Sequence, residues 1–223
     1  MADENIHIYS ITRTEEDYNI RDQYRENKFD ASKSIDSLLR LLETQNSETM
    51  EHTIRMRDNA ILVGNSLGLS ISELCELDLA TRLHDIGKIT IPENILLKPA
   101  KLTDEEFRIM KTHSENGYSI VTASNGLESI ASAVRTHHER WDGGGYPLAL
   151  KKEEIPIMAR IISVVDAFDA MTSERPYHGA VDFKDAIVEI IGCRGTHFDP
   201  KIVDVFVNVI SYKVSNKPGS MFR

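Results

Sequence analysis

The amino-acid sequence predicts an all-α protein: a helical bundle with additional C-terminal helices, preceded by a short irregular N-terminal extension. From Ser34 onwards apolar residues recur at helical spacing, and the prolines fall between the apolar segments, where proline is tolerated. Outside residues 6–11 there is no convincing alternation of apolar and polar residues of the kind that predicts strands. With 223 residues, of which 41% are hydrophobic, the chain is long enough to bury a sizeable core.

The pattern divides the chain into three parts. Residues 1–33 form an N-terminal extension or linker, in which residues 6–11 alternate weakly and predict a short strand. Residues 34–212 carry the helical pattern and form the main domain. Residues 213–223 form a C-terminal tail.

The helices of the main domain can be placed in order. The first begins near Ser34, with Ser32 or Ser34 as its N-cap. Thr103 and Glu106 match a capping box, which predicts that another helix starts there. Segment 157–171 is apolar on most sides, so we expect it to be central and buried. The remaining helices are expected at residues 49–67, 72–85, 114–123, 127–138, 183–192 and 201–210.

Composition and charge exclude several classes of function. The chain has 26 Lys and Arg against 35 Asp and Glu, a formal net charge of −9, so we expect no DNA or RNA binding, and broad binding to anionic membranes is disfavoured. No apolar run could span a bilayer, and the acidic N-terminus lacks the features of a signal peptide. Cys75 and Cys193 cannot build a disulfide framework, and we interpret both as small buried hydrophobic residues. These features predict a cytoplasmic protein.

Histidines and carboxylates occur in pairs. His84-Asp85 and His137-His138 each lie at the end of a predicted helix, and Asp166 lies inside the most apolar helix. An ionised carboxylate is costly in such a place unless it is paired or bound to metal. Imidazole and carboxylate together suit Fe, Mn, Zn or Co, and they are the usual components of a two-metal site.

Further candidates lie on other helices. Glu48 and His52 are four residues apart and therefore share a helix face, and His113 lies in a later segment. Each has a purely structural alternative: His113 as a satisfied core histidine, and Glu48 with His52 as an exposed pair. The case for metal depends on the conjunction of all these residues. His7 and His197 lack companions, and we assign them structural roles.

A glycine-rich loop from Trp141 to Pro147 begins shortly after the second histidine pair. Its three consecutive glycines cannot continue a helix, and they let the backbone approach a ligand closely. Tyr146 offers a ring for stacking and a hydroxyl for hydrogen bonding. The alternative is a flexible turn, in which glycine runs are common.

Two motifs carry a resemblance to a known family: His-Asp-Ile-Gly-Lys at 84–88, and His-His-Glu-Arg-Trp-Asp-Gly-Gly-Gly-Tyr-Pro at 137–147. They closely resemble the HD-GYP family of cyclic dinucleotide phosphodiesterases, which is named for its His-Asp doublet and Gly-Tyr-Pro triplet. Shorter similar segments lie at 49–55, 155–172, 175–177 and 195–200, so the resemblance extends over roughly residues 34–209.

The resemblance implies an HD-domain fold with a metal centre. Asp85 matches the bridging ligand and, with Lys88, a catalytic residue, while Glu48 matches an extra ligand for a third ion. The implied cofactors are two or three divalent ions, expected to be Fe or Mn. The other matching ligands are His52, His84, His113, His137, His138 and Asp166.

The resemblance also implies a set of substrate contacts. His178 stands three residues after Arg175, where the family often has Lys or Arg, which leaves the preferred dinucleotide open. The implied contacts are Lys88, Gly145, Tyr146, Asp169, Arg175 and His178.

The function implied by the resemblance is hydrolysis of a 3′,5′-cyclic dinucleotide in bacterial second-messenger signalling. The family's usual substrate is cyclic di-GMP, and the products are the linear dinucleotide, GMP, or both. Two alternatives are an HD phosphohydrolase that acts on mononucleotides and a catalytically weak cyclic-dinucleotide receptor or scaffold. Residues 9–16 faintly resemble the exit linker of a PAS sensor domain. The sequence therefore leaves open a sensor domain or signalling partner, and also a homodimer.

Overall fold

The computed structural model describes residues 37–41, 50–124, 126–173 and 180–215. These ranges contain helices and no strand, apart from one isolated bridge between Arg194 and Phe198, so the all-α prediction is confirmed. Residues 37–41 are helical, and 3₁₀ helices lie at Ile86–Thr90 and Lys152–Glu154. The longer elements are α1 (Met50–Ser66), α2 (Ile71–Leu83), α3 (Glu93–Leu96), α4 (Asp104–Thr122), α5 (Glu128–Thr136), α6 (Ile157–Thr172), α7 (Phe183–Gly192) and α8 (Pro200–Ser215).

Local sequence signals set several helix boundaries. Ser70 and Thr103 are the N-caps of α2 and α4, and each forms a capping box with the glutamate three residues later. The capping box predicted at Thr103 is therefore confirmed. Gly68 follows the end of α1 with a φ of +80°, a conformation that favours glycine over residues with a Cβ. Asp182 caps α7 by accepting a hydrogen bond from the backbone N–H of Lys184 at 2.9 Å.

Helix α6 forms the centre of the bundle and packs against α1, α5, α7 and α8. This central position confirms the prediction made from its apolar sequence. Burial of these side chains supplies the main favourable free energy of folding. Fully buried residues on α6 and its neighbours include Met56, Val63, Ile130, Val134, Ile161, Ile162, Val164, Val165, Ile190, Ile202 and Phe206.

Some boundaries differ from the predictions. Helix α4 is continuous to Thr122, where the sequence predicted a separate helix from residue 114. Ser114, Gly117 and Val121 are buried together on the side of α4 that meets α5, and this packing outweighs the low helix propensity of Gly117. Helix α8 continues to Ser215, five residues beyond its predicted end. Helix α3 is too short to give a periodic pattern and was not predicted.

Cys75 and Cys193 are free and half-buried, so the prediction that both are buried is wrong. Cys193 lies at the C-cap of α7, where the chain turns away from the core. The strand predicted at residues 6–11 and the N-cap predicted at Ser32 or Ser34 lie outside the described residues. Within the described ranges, no helix combines the length and the apolar character needed to cross a membrane.

Candidate metal centre

Two groups of metal-ligating side chains lie side by side at one end of the bundle. In each group the ligand atoms all lie within 4.8 Å of one another. The first ligand group is Asp85, His113, His137 and His138, and the second ligand group is His52, His84 and Asp166. These are the seven described residues for which metal ligation was predicted.

Helix ends and one close backbone approach bring these residues together. His84 and His137 are the C-caps of α2 and α5, so both side chains project from the ends of their helices. Asp85 opens the 3₁₀ helix that crosses α4, which carries His113. A Cβ on Gly87 would lie 1.9 Å from the carbonyl oxygen of His113, so only glycine permits this approach.

Backbone carbonyls orient three of the histidines. In each case Nδ1 lies 2.7 Å from the carbonyl oxygen three residues earlier, as seen for His84, His113 and His137. Because a carbonyl oxygen can only accept, Nδ1 carries the proton in all three rings. In the neutral imidazole, Nε2 then presents its lone pair to the centre of the site.

The carboxylate of Asp85 lies between the two ligand groups. Its Oδ2 is 3.2 Å from Nε2 of His84, and its Oδ1 is 3.4 Å from Nε2 of His113 and 3.8 Å from Nε2 of His137. Oδ1 is buried and accepts no hydrogen bond from any residue in the described ranges. One oxygen thus faces each ligand group, which is the arrangement needed for a bridging carboxylate.

The charge state of the cluster tests whether it fits a cation. Burial lowers the pKa of His113, lowers the pKa of His137 well below its ordinary value, and lowers the pKa of His138 to about 3. These rings are therefore neutral at pH 7, and the lone pairs of His113 and His137 face each other with their Nε2 atoms 3.4 Å apart. Two facing lone pairs beside a carboxylate repel one another, and a divalent cation between them would remove that repulsion. The residues fit a divalent metal site.

Asp85 remains ionised despite its burial. Burial raises the pKa of its carboxyl group, but the positive charge of the nearby Lys88 outweighs that effect and holds the pKa well below its usual range. Lys88 Nζ lies 2.5 Å from Asp85 Oδ2. The structure thus places Lys88 beside the first ligand group, in direct contact with the carboxylate of Asp85.

A buried carboxylate on α6 orients His52. Asp169 Oδ2 lies 2.5 Å from His52 Nδ1, and both Asp169 oxygens accept hydrogen bonds from Arg55, at 2.7 and 3.1 Å. Burial raises the pKa of Asp169, but the bonds from His52 and Arg55 lower it to about 2. Carboxylates that hold the second nitrogen of a ligand histidine are typical of metal sites. The sequence had placed Asp169 among the substrate contacts, and its orienting role was missed.

The glycine-rich loop folds back over the first ligand group. The ring of Tyr146 stacks on that of His138, with centroids 4.9 Å apart and an interplanar angle of 27°. A Cβ on Gly145 would lie 2.3 Å from the backbone nitrogen of Arg140, so the loop can pack this closely only with glycine there. The loop therefore forms one wall of the candidate site, where it packs closely at Gly145 and Tyr146.

The buried side chain of Glu139 accepts hydrogen bonds from the residues that follow this loop. Its side chain is 2% exposed, and its two carboxylate oxygens accept hydrogen bonds from the backbone N–H groups of Leu148, at 2.6 Å, and Leu150, at 3.2 Å. Ala149, between them, has a φ of +55°, a conformation that is unfavourable for a residue with a Cβ. The carboxylate therefore maintains a strained loop next to Tyr146. The sequence reasoning missed Glu139, although it directly follows the second histidine pair.

The segment before α8 supports the same loop from the other side. The backbone N–H groups of Trp141 and Asp142 donate to the carbonyl oxygens of His197 and Thr196, at 2.9 and 2.8 Å. The ring of His197 stacks on Phe198 and lies outside both ligand groups, in line with its structural assignment. Three other predicted site residues, Glu48, Arg175 and His178, lie outside the described residues, as does His7.

An all-helical bundle that gathers a His-Asp doublet with further histidines and an aspartate defines a class of metal-binding helical domains. The chain belongs to the HD-domain family, whose sequence model matches residues 36–202.

Individual relatives agree with this assignment. The chain is 43% identical over 177 residues to a cyclic di-GMP phosphodiesterase of Thermotoga maritima. The aligned region covers 78% of this chain and 48% of that relative. It is 35% identical over 204 residues to the 3′3′-cGAMP-specific phosphodiesterase 2 of Vibrio cholerae, covering 91% of this chain and 38% of that protein. The chain thus spans less than half the length of these curated relatives.

A solved structure shares the fold. The crystal structure of a cyclic GMP-AMP specific phosphodiesterase of Vibrio cholerae superposes with a TM-score of 0.63 at 22% sequence identity. The match covers 82% of this chain and 49% of that one. This likeness supports the helical architecture.

Proposed function

We propose that the chain is a metal-dependent phosphodiesterase of the HD-GYP group that hydrolyses a 3′,5′-cyclic dinucleotide, with cyclic di-GMP as its substrate. The observation that carries this proposal is the position of Asp85, which presents one carboxylate oxygen to each ligand group beneath the stacked Tyr146. Bacterial relatives that are cyclic di-GMP and 3′3′-cGAMP phosphodiesterases support the substrate class.

The two ligand groups would each hold a divalent ion, and we propose Fe or Mn because both accept mixed imidazole and carboxylate ligands. Glu48 is proposed as a ligand for a third ion. When bound, such ions polarise phosphoryl oxygens and lower the pKa of water, which is the chemistry that this hydrolysis requires.

The chain's own residues would bind and position the phosphodiester. Lys88 lies beside Asp85 and carries a positive charge that can approach the non-bridging oxygens of the phosphate. Tyr146 presents its ring at the rim of the ligand groups, where a nucleobase or sugar would lie. Burial raises the pKa of Tyr146, so its hydroxyl stays protonated and can donate a hydrogen bond. Arg175 and His178 are proposed as further phosphate contacts.

The wider setting is also proposed from the sequence. Residues 34–212 would form the catalytic domain, with residues 1–33 linking it to a sensor domain or signalling partner in the bacterial cytoplasm. A homodimer is compatible with this arrangement.

The proposal is tested by hydrolysis of a panel of cyclic dinucleotides. The 223-residue chain is loaded with Fe(II) or Mn(II) under anaerobic conditions and incubated with cyclic di-GMP, 3′3′-cGAMP and cyclic di-AMP, and separately with mononucleotides. We expect cyclic di-GMP to be opened fastest, and the products to be linear dinucleotide, GMP or both. Binding of cyclic di-GMP without turnover would indicate a receptor instead. Turnover of mononucleotides alone would indicate the other class of HD phosphohydrolase.

A further inference from the structure

One lysine at the rim of the metal centre lies over two aromatic rings. Lys111 lies on α4, and its Nζ is 5.4 Å from the ring centroid of Tyr146 and 4.7 Å from that of Phe107, one helical turn earlier. These are cation–π distances, and such contacts hold an ammonium group in place without neutralising it. The lysine side chain is half-buried and is therefore positioned rather than free in solvent.

Among the described residues, three other cations near the ligand groups each lie in an ion pair with a carboxylate. Lys88 lies 2.5 Å from Asp85, Arg55 is bound by Asp169, and Arg140 is bound by Asp142. For Lys111 the described residues offer no carboxylate within ion-pairing distance. Its charge is therefore available to an anion that reaches the rim of the site, even though the chain as a whole carries a net charge of −9.

The aromatic residue beside this lysine faces solvent. Phe107 is 45% exposed, so part of its ring is accessible to a ligand at the rim. An exposed aromatic ring can stack on any nucleobase, because every base has a π face. A base-stacking ring and an available ammonium group on one helix face match the two components of a nucleotide.

We propose that Phe107 and Lys111 form an outer subsite for the half of the cyclic dinucleotide that is not being cut. The ammonium group of Lys111 contacts the second phosphate, and the ring of Phe107 stacks on a base. This inference rests on the proposed function, because it assumes a substrate with a second phosphate. A small phosphodiester would reach the metal centre without touching either residue.

The test compares two substrates in matched variants. Values of kcat and KM are measured with cyclic di-GMP and with bis(p-nitrophenyl) phosphate, which has no second phosphate, on Mn(II)-loaded chain. The Kd of a hydrolysis-resistant phosphorothioate analogue of cyclic di-GMP is measured in parallel. Lys111→Met keeps an apolar stem against both rings and removes the charge, and Lys111→Arg keeps the charge. Lys101→Met, at an exposed lysine before α4, makes the same change in net charge at a distance from the rim.

We expect Lys111→Met to raise both the KM for cyclic di-GMP and the analogue's Kd roughly tenfold, as for loss of one charged contact. The kinetics on bis(p-nitrophenyl) phosphate should be unchanged, and Lys111→Arg should restore most of the affinity. Phe107→Ala should give the same selective loss.

Three results would overturn the outer subsite: an unchanged KM for cyclic di-GMP in Lys111→Met, an equal rise in Lys101→Met, or an equal loss on both substrates. Failure of the proposed function looks different. In that case the unmodified chain would hydrolyse bis(p-nitrophenyl) phosphate and none of the cyclic dinucleotides.

Discussion

Asp169 Oδ2 and His52 Nδ1 lie 2.5 Å apart, although the two residues are separated by 117 positions in the sequence. Arg55 donates to both oxygens of Asp169, so the carboxylate is held from one side while it orients the histidine on the other. This contact fixes which nitrogen of His52 is protonated, and leaves Nε2 as the nitrogen that can bind metal.

Replacing Asp169 by Asn should weaken metal binding without unfolding the chain. The amide keeps the shape of the carboxylate, but its oxygen is drawn to Arg55, and its NH₂ group then faces His52 Nδ1. This favours the tautomer with its proton on Nε2, so metal affinity should fall about 10- to 100-fold. Metal titration and far-UV circular dichroism check the two parts of the prediction. A raised KM for cyclic di-GMP with unchanged metal affinity would instead return Asp169 to the substrate contacts.

Asp85→Asn should remove bound metal and abolish hydrolysis. A neutral amide cannot bridge two cations, and the histidines that face Asp85 would lose their shared anionic partner. Elemental analysis of metal per chain is the measurement, with helical content as the check on folding. The matched control is Asp204→Asn, at an exposed aspartate paired with Arg194, which should keep its full metal content. If Asp85→Asn retained both metal and turnover, the carboxylate would not be a ligand.

Gly87→Ala should destabilise the domain by more than about 2 kcal/mol. The added Cβ would meet the carbonyl oxygen of His113 at 1.9 Å and the backbone nitrogen of Gly117 at 2.5 Å, and neither backbone atom can move without shifting α4. Gly192→Ala is the control, because a Cβ there meets nothing within 4 Å, and alanine is favoured over glycine in a helix by up to about 1 kcal/mol. Urea denaturation of both variants measures the difference. Equal stabilities would show that the 3₁₀ helix is not held against α4.

Glu139→Gln should loosen the glycine-rich loop. Glutamine has one acceptor oxygen in place of two, so one of the N–H groups of Leu148 and Leu150 loses its partner and faces an NH₂ group. We expect a loss of about 1–3 kcal/mol in the free energy of unfolding. Turnover should also fall, because Tyr146 is no longer fixed on His138. The exposed Glu153→Gln, in the nearby 3₁₀ helix, should change neither quantity; a similar loss there would assign the effect to net charge.

The seven described residues that the sequence predicted as metal ligands lie together in the two ligand groups, and local motifs explain why the sequence could single them out. His84 and Asp85 are adjacent, and so are His137 and His138. Asp166 stands out because burying an unpaired charge in an apolar helix costs free energy. Each pair also lies at a helix end that its own sequence specifies. The helical architecture could be predicted from the spacing of apolar residues, because this spacing, like the motifs, is visible within a few consecutive residues.

Contacts between segments that are distant in the sequence could not be predicted from local motifs. The role of Asp169 depends on α1 and α6 being neighbours, which no local pattern states. One signal was present: His52 and Arg55 have the same i,i+3 spacing as Asp166 and Asp169, so two matching helix faces meet. The two backbone N–H groups that donate to Glu139 lie 9 and 11 residues further along, in a loop without periodicity, so only the structure shows the role of Glu139.

The glycine-rich loop is hydrogen-bonded to the segment before α8. This contact sets a lower limit on the length of chain that can form an intact site. The HD-domain match ends at residue 202, only three residues into α8, whereas Val203, Phe206 and Ile210 continue the core beyond it. A chain shortened to the matched region would keep His197, whose carbonyl oxygen accepts a hydrogen bond from Trp141, but would lose most of the helix that begins three residues after it. Helix α8 is thus an integral part of the minimal domain. A fusion that transfers the domain to another protein must therefore include the whole of α8.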